Sequence, residues 1–117
     1  MKVYEIKDIL NATVLTGQQN LDRTVIGAGG ADIMEAFLAA ATKDAVILTG
    51  LTSDDVIRTA KVADVAAVVF VRGKKPEKSA IDLANSYQLP TMSTRYSLFI
   101  ASGKLYMNGL RGLDGSW

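Results

Sequence analysis

The sequence predicts an α/β fold: a small, mainly parallel sheet of βαβ units with helices packed on its faces. Short apolar runs start near residues 25, 45, 66 and 90. The runs at 45 and 66 show no polar alternation, as expected of strands covered on both faces of a parallel sheet. After each of the first three comes a turn rich in glycine or polar residues, then apolar residues at helical spacing. The turns share no repeated side-chain pattern, which separates this recurrence from a solenoid. At 117 residues the chain is the size of one domain and can bury a core without staples.

The elements follow in order. Val3 and Tyr4 form a short β-prone start, after which Ile6, Ile9 and Leu10 fall on one helical face. Ala12 to Thr16 reads as a brief strand closed by Gly17, and Gln18 to Arg23 as a polar loop without an element of its own. Thr24 to Ala28 is a β-branched strand broken by Gly29-Gly30. From Ala31 a helix carries Met34, Phe37, Leu38 and Ala41 on one face, with Asp32 and Glu35 in its first turn, where the dipole favours negative charge. Ala45 to Leu48 is read as the middle strand. Thr52-Ser53-Asp54-Asp55 matches a capping-box start for a helix burying Val56, Ile57, Ala60 and Ala63. Ala66 to Val71 is the most apolar run. Arg72 to Lys75 is its turn, and Pro76 suits a first helical position before Ala80, Ile81, Ala84 and Tyr87. Thr91 to Ser93 is a last short strand, and a helix with Leu98, Phe99 and Ala101 ends at Gly103. The stretch from Leu105 to Trp117 is too apolar to be solvated and is expected to pack on the domain or on a partner subunit.

Composition narrows the function. Thirteen Lys and Arg against twelve Asp and Glu give a net charge of +1, which offers no electrostatic case for nucleic acid or an acidic membrane. The chain has neither cysteine nor histidine. That removes disulfides, thiolate chemistry, the usual zinc sites and the commonest general base. No apolar run has the length of a membrane span, and the first residues lack the charged head and apolar run of a signal peptide. A cytoplasmic protein without metal or cofactor is expected.

Ligands of open parallel sheets sit outside the strand carboxyl ends. The turns there contain Gly27, Gly29 and Gly30; Thr49, Gly50, Thr52 and Ser53; and Arg72, Lys74 and Lys75. Backbone N–H groups, hydroxyls and positive charge in one crevice suit a phosphate or nucleotide. Each group also has a plainer reading. The glycines serve tight turns, the hydroxyl residues end a strand and cap a helix, and the cations form a solvated turn. Gly27-x-Gly29-Gly30 lacks the third glycine of the dinucleotide fingerprint, since Asp32 stands there. Asp54 and Asp55 are read as dipole partners rather than metal ligands.

Asp22-Arg23-Thr24, followed by Gly29-Gly30, resembles the signature of the DRTGG domain in divergent form, with Val25 to Ala28 inserted. The resemblance extends through Val46-Ile47-Leu48-Thr49-Gly50, Ala67-Val68-Val69-Phe70 and Leu83-Ala84 before Leu89-Pro90, covering roughly Ile6 to Gly109. It implies a fold similar to the N-terminal domain of HPr kinase/phosphorylase, without that enzyme's kinase site, and a regulatory or dimer-forming module. Relatives commonly carry a histidine near Leu51 to Ser53; its absence here points away from catalysis. The expected function is a non-catalytic regulatory and oligomerisation module, a homodimer that binds a small anionic ligand or a partner enzyme. The alternative is a small phosphoryl- or acyl-transfer enzyme in which Lys74 or Lys75 clamps a phosphate and Asp32 or Asp55 acts as base.

Overall fold

The computed structural model describes residues 1–113. Its elements are α1 (Val3–Ile9), β1 (Thr13–Thr16), a 3-10 turn (Gln18–Asn20), β2 (Gly27–Gly30), α2 (Met34–Ala40), β3 (Ala45–Thr49), α3 (Asp54–Ala63), β4 (Ala67–Phe70), α4 (Lys78–Tyr87), β5 (Thr91–Ser93) and α5 (Leu98–Met107). The strands form one sheet in the order β1-β5-β4-β3-β2. The four strands from β2 to β5 run parallel, and β1 joins β5 antiparallel.

Alternation along the buried strands sorts the core into two layers. Val46, Leu48, Ala67 and Val69 face α1 and α5, where Val3, Ile6, Leu10, Ala101 and Leu105 are buried. Ala45, Ile47, Val68 and Phe70 face α2, α3 and α4, where Phe37, Val56, Ile57, Ala60, Ala80 and Ala84 are buried. Both faces of β3 and β4 are therefore dry. This is why neither strand shows polar alternation in the sequence.

Several expectations are corrected. The middle strand is β4; β3 lies one place nearer the β2 edge. Gly29 and Gly30 do not break β2 but form its second half. Val3 and Tyr4 belong to α1. Of the stripe on α2 only Phe37 is fully buried, while Leu38 is exposed because the helix lies at the margin of the sheet. The α3 cap is Ser53, whose side chain makes no capping bond, so Thr52 and Asp55 form no capping box. Pro76 precedes the Glu77 cap of α4. Gly103 lies inside α5, with open space where its side chain would be.

Beyond α5 the chain turns back and lies along the outer edge of β2. Gly112 bridges Ala28 in parallel fashion, and the Ala28 N–H donates to the Arg111 carbonyl at 2.9 Å. A side chain on Gly27 would stand 2.7 Å from Leu113 Cδ2. Gly29 and Gly30 give similar room to Ala40 of α2 and Leu98 of α5. Leu105, Leu110 and Leu113 pack onto the domain, as their apolarity predicts. Trp117 lies outside the described residues.

Candidate functional site

At the carboxyl ends of β2, β3 and β4 three loops converge on Gly50. The β2–α2 loop supplies Asp32, whose Oδ1 accepts the Gly50 N–H at 2.7 Å and whose Oδ2 accepts from Arg72 Nη1 at 3.0 Å. A Cβ on Gly50 would run into the Arg72 guanidinium and sit 3.0 Å from Asp32 Oδ1. The arginine thus lies against bare backbone, an approach that only glycine permits here. Burial pushes the Asp32 carboxyl up, but the Gly50 N–H and the Arg72 guanidinium outweigh it and hold the group below its ordinary value.

Arg72 is fixed at its root. It sits in the left-handed region with φ 58°, its N–H donates to the Tyr96 carbonyl at 2.8 Å, and the Gly73 N–H donates to the Thr94 carbonyl at 2.9 Å. Thr94 in turn is buried and donates its hydroxyl to the Leu10 carbonyl at 2.7 Å. Farther along the same turn, the Glu77 N–H donates to the Thr52 carbonyl at 3.2 Å, tying it to the loop before α3. Gly50 and Arg72 are therefore brought together, while Thr52 is joined to the far end of the Arg72 turn, with Ser53 beside it and Lys74 and Lys75 exposed on that turn. Among the described residues, the Thr52 and Ser53 hydroxyls make no hydrogen bond with other side chains or backbone.

Two parts of the predicted crevice lie differently. Thr49 is wholly buried and its Oγ1 accepts the Leu51 N–H at 3.0 Å, so it shapes the turn from within. Gly27, Gly29 and Gly30 lie within the edge strand rather than in a turn and face α2, α5 and the C-terminal segment. What β2 brings to Gly50 is Asp32, two residues past its end. The sequence shows this aspartate only as a helix-dipole partner or a base. Its true partner is 40 residues away, and no local pattern announces such a pairing. Asp55, the other proposed base, pairs with Arg58 at 3.3 Å on the surface of α3.

The opposite ends of the strands hold a second arginine cluster. Arg23 Nη2 lies 2.9 Å from Asp44 Oδ1 and 3.0 Å from Asp64 Oδ1, and it donates to the Asp64 carbonyl at 2.6 Å. Asp44 and Asp64 are both left-handed residues, with φ 62° and 59°, immediately before β3 and at the end of α3. The neighbouring Thr24 bridges Lys2 and accepts from its Nζ at 2.9 Å.

A family model described as the DRTGG domain matches residues 5–106. No curated protein matches the sequence. Among solved structures, the fold is similar to the CBS and DRTGG domains of the regulatory region of Clostridium perfringens pyrophosphatase complexed with activator, diadenosine tetraphosphate. The TM-score is 0.66 at 17% identity, covering 89% of this chain and 45% of that one. This chain thus spans under half of that regulatory-region chain, and the likeness is one of fold.

Proposed function

Because this chain belongs to the DRTGG domain family, we propose that it is a non-catalytic regulatory module of the cytoplasm. In this reading it holds a small anionic ligand, a phosphate ester or nucleotide, at the carboxyl ends of β3 and β4. The observation that carries it is Arg72 lying against the Gly50 backbone, with exposed Lys74 and Lys75 on the same turn and Thr52 and Ser53 on the turn that Glu77 ties to it. Cations, backbone donors and hydroxyls are the groups that recognise phosphate. The solved regulatory region that the fold resembles is complexed with a nucleotide activator, which supports a ligand of this class.

The module pairs with a second copy. On α5, Phe99 is 83% and Met107 87% exposed, four residues either side of Gly103. Ile100 and Tyr106 add apolar surface to that helix. Large apolar residues flanking a small central one allow close helix–helix approach, and a patch of this kind on a soluble domain marks an interaction surface.

Calorimetric titration with ATP, AMP, pyrophosphate and acyl-CoA tests the ligand. Binding weakened by Lys74→Ala/Lys75→Ala is expected, and silence across all four would overturn it. Sedimentation at micromolar concentration tests the pairing: the dimer is expected to become a monomer in Met107→Glu, and a wild-type monomer would refute it.

A further inference from the structure

The donors at Gly50 already hold an anion, and the anion is the protein's own. A strand-end backbone N–H and a guanidinium converge on one carboxylate, at 2.7 Å and 3.0 Å. These two donor types are the ones that hold a phosphate oxygen. The receiving groups are anchored: Gly50 continues from a fully buried strand, and Arg72 is pinned by its backbone bond to Tyr96 and that of Gly73 to Thr94. The occupant is not anchored in that way. Asp32 is an exposed residue in the connection before α2, and these two bonds are the only ones its carboxylate makes among the described residues. The nearby acids of α3 are engaged elsewhere, Asp54 with Ser79 and Arg58 and Asp55 with Arg58.

We propose that Asp32 is an internal stand-in for the ligand: its carboxylate fills the Gly50–Arg72 subsite, and a phosphate group binds by displacing it. The proposal rests on the anion-binding reading above and locates the phosphate within it. Displacement breaks the two bonds to Asp32 and remakes them to phosphate oxygens, with exposed Lys74 and Lys75 on the same turn as Arg72. Because the subsite is open in only a fraction of molecules, the apparent affinity is lowered by that fraction. Ligand binding also releases the Asp32 side chain from Gly50 and Arg72, while the Ala31 N–H keeps its bond to the Leu48 carbonyl of β3 at 2.9 Å.

The test is a titration of the full chain with pyrophosphate and separately with ATP, followed by amide NMR, for wild type, Asp32→Ala, Asp32→Asn and Asp32→Ala/Arg72→Ala. Asp32→Ala is expected to bind about tenfold more tightly than wild type, with the Gly50 amide among those that move. Asp32→Asn, which keeps the shape and loses the charge, is expected to fall between the two. The added Arg72→Ala should remove the gain. Equal affinities for wild type and both Asp32 variants, or binding that leaves the Gly50 amide unmoved, would overturn the stand-in while leaving anion binding at Lys74 and Lys75 intact. Failure of every variant to bind either probe would overturn both. Pyrophosphate and ATP binding alike would locate recognition in the phosphates; a preference for ATP would add a contact to the nucleoside.

Discussion

The two ends of the sheet each carry one arginine against aspartate, and they differ in how fully that arginine is enclosed. At the amino ends, Arg23 is 28% exposed and meets two carboxylates and a backbone carbonyl from two separate turns. At the carboxyl ends, Arg72 is 42% exposed and meets one carboxylate from one loop. The first arrangement joins the loop before β2 to the approaches of both β3 and β4, so its loss would loosen three segments together. The second joins a loop to a strand end whose position is already set by the core. Similar chemistry therefore yields a fastener at one end and an exchangeable contact at the other. The degree of multiple attachment makes the difference, more than the strength of any single ion pair.

The largest expected effect is that of Arg23→Ala. It leaves Asp44, Asp64 and a carbonyl without their shared donor, and hydrogen bonds involving charged groups of this kind contribute about 2 kcal/mol. For a chain of this size that corresponds to a fall in Tm of about 8 °C in thermal unfolding. A fall of under about 2 °C would erase the distinction between the two ends.

Arg72→Ala comes next and should cost no more than about 1 kcal/mol, the range of exposed ion pairs, while weakening anion binding in calorimetry. A stability loss equal to that of Arg23→Ala would make both ends fasteners. Gly50→Ala is expected to be smaller still in stability, within about 0.5 kcal/mol, because its Cβ meets the far end of a flexible side chain. Its signature is local: the guanidinium is pushed off the strand end, and the Arg72 side-chain NMR signals shift.

The smallest effect is one of pH. The Asp32 carboxyl lies below its ordinary value of 3.8. Its ionised form therefore stabilises the fold above that value, and the contribution is lost as pH falls through the lowered one. The Asp32 carboxyl resonance should titrate below 3.8 in wild type and move upward in Arg72→Ala. An unchanged midpoint would detach Asp32 from Arg72 in solution.

Much of this architecture is legible along the chain where one element determines its own pattern. The runs at Ala45 and Ala67 are apolar throughout because helices cover both sides, and Val56, Ile57 and Ala60 show the buried stripe of α3 without help from elsewhere. Legibility ends where distant segments decide. Gly29 and Gly30 read as a break because glycine disfavours strands; they form one because Ala40 and Leu98 crowd that edge. Gly103 reads as a helix end, yet α5 passes through it. The Arg23 of the signature triplet is visible, but its partners are Asp44 and Asp64, in turns that reveal nothing of it. Arg72 and Gly50 stand out by composition, whereas Asp32, which completes their geometry, is concealed by having an adequate local explanation.

The strip of chain from Arg111 to Leu113 along β2 has a consequence for life at high concentration. The outer strand is rich in glycine and carries outward backbone groups, of which Ala28 is paired by the returning chain. An uncovered edge of this sort is a template on which another molecule can add a strand. The strip therefore acts as a guard against runaway edge-to-edge polymerisation. A chain cut before Arg111 is expected to scatter light increasingly with concentration, and scattering equal to that of the intact chain would refute the guard.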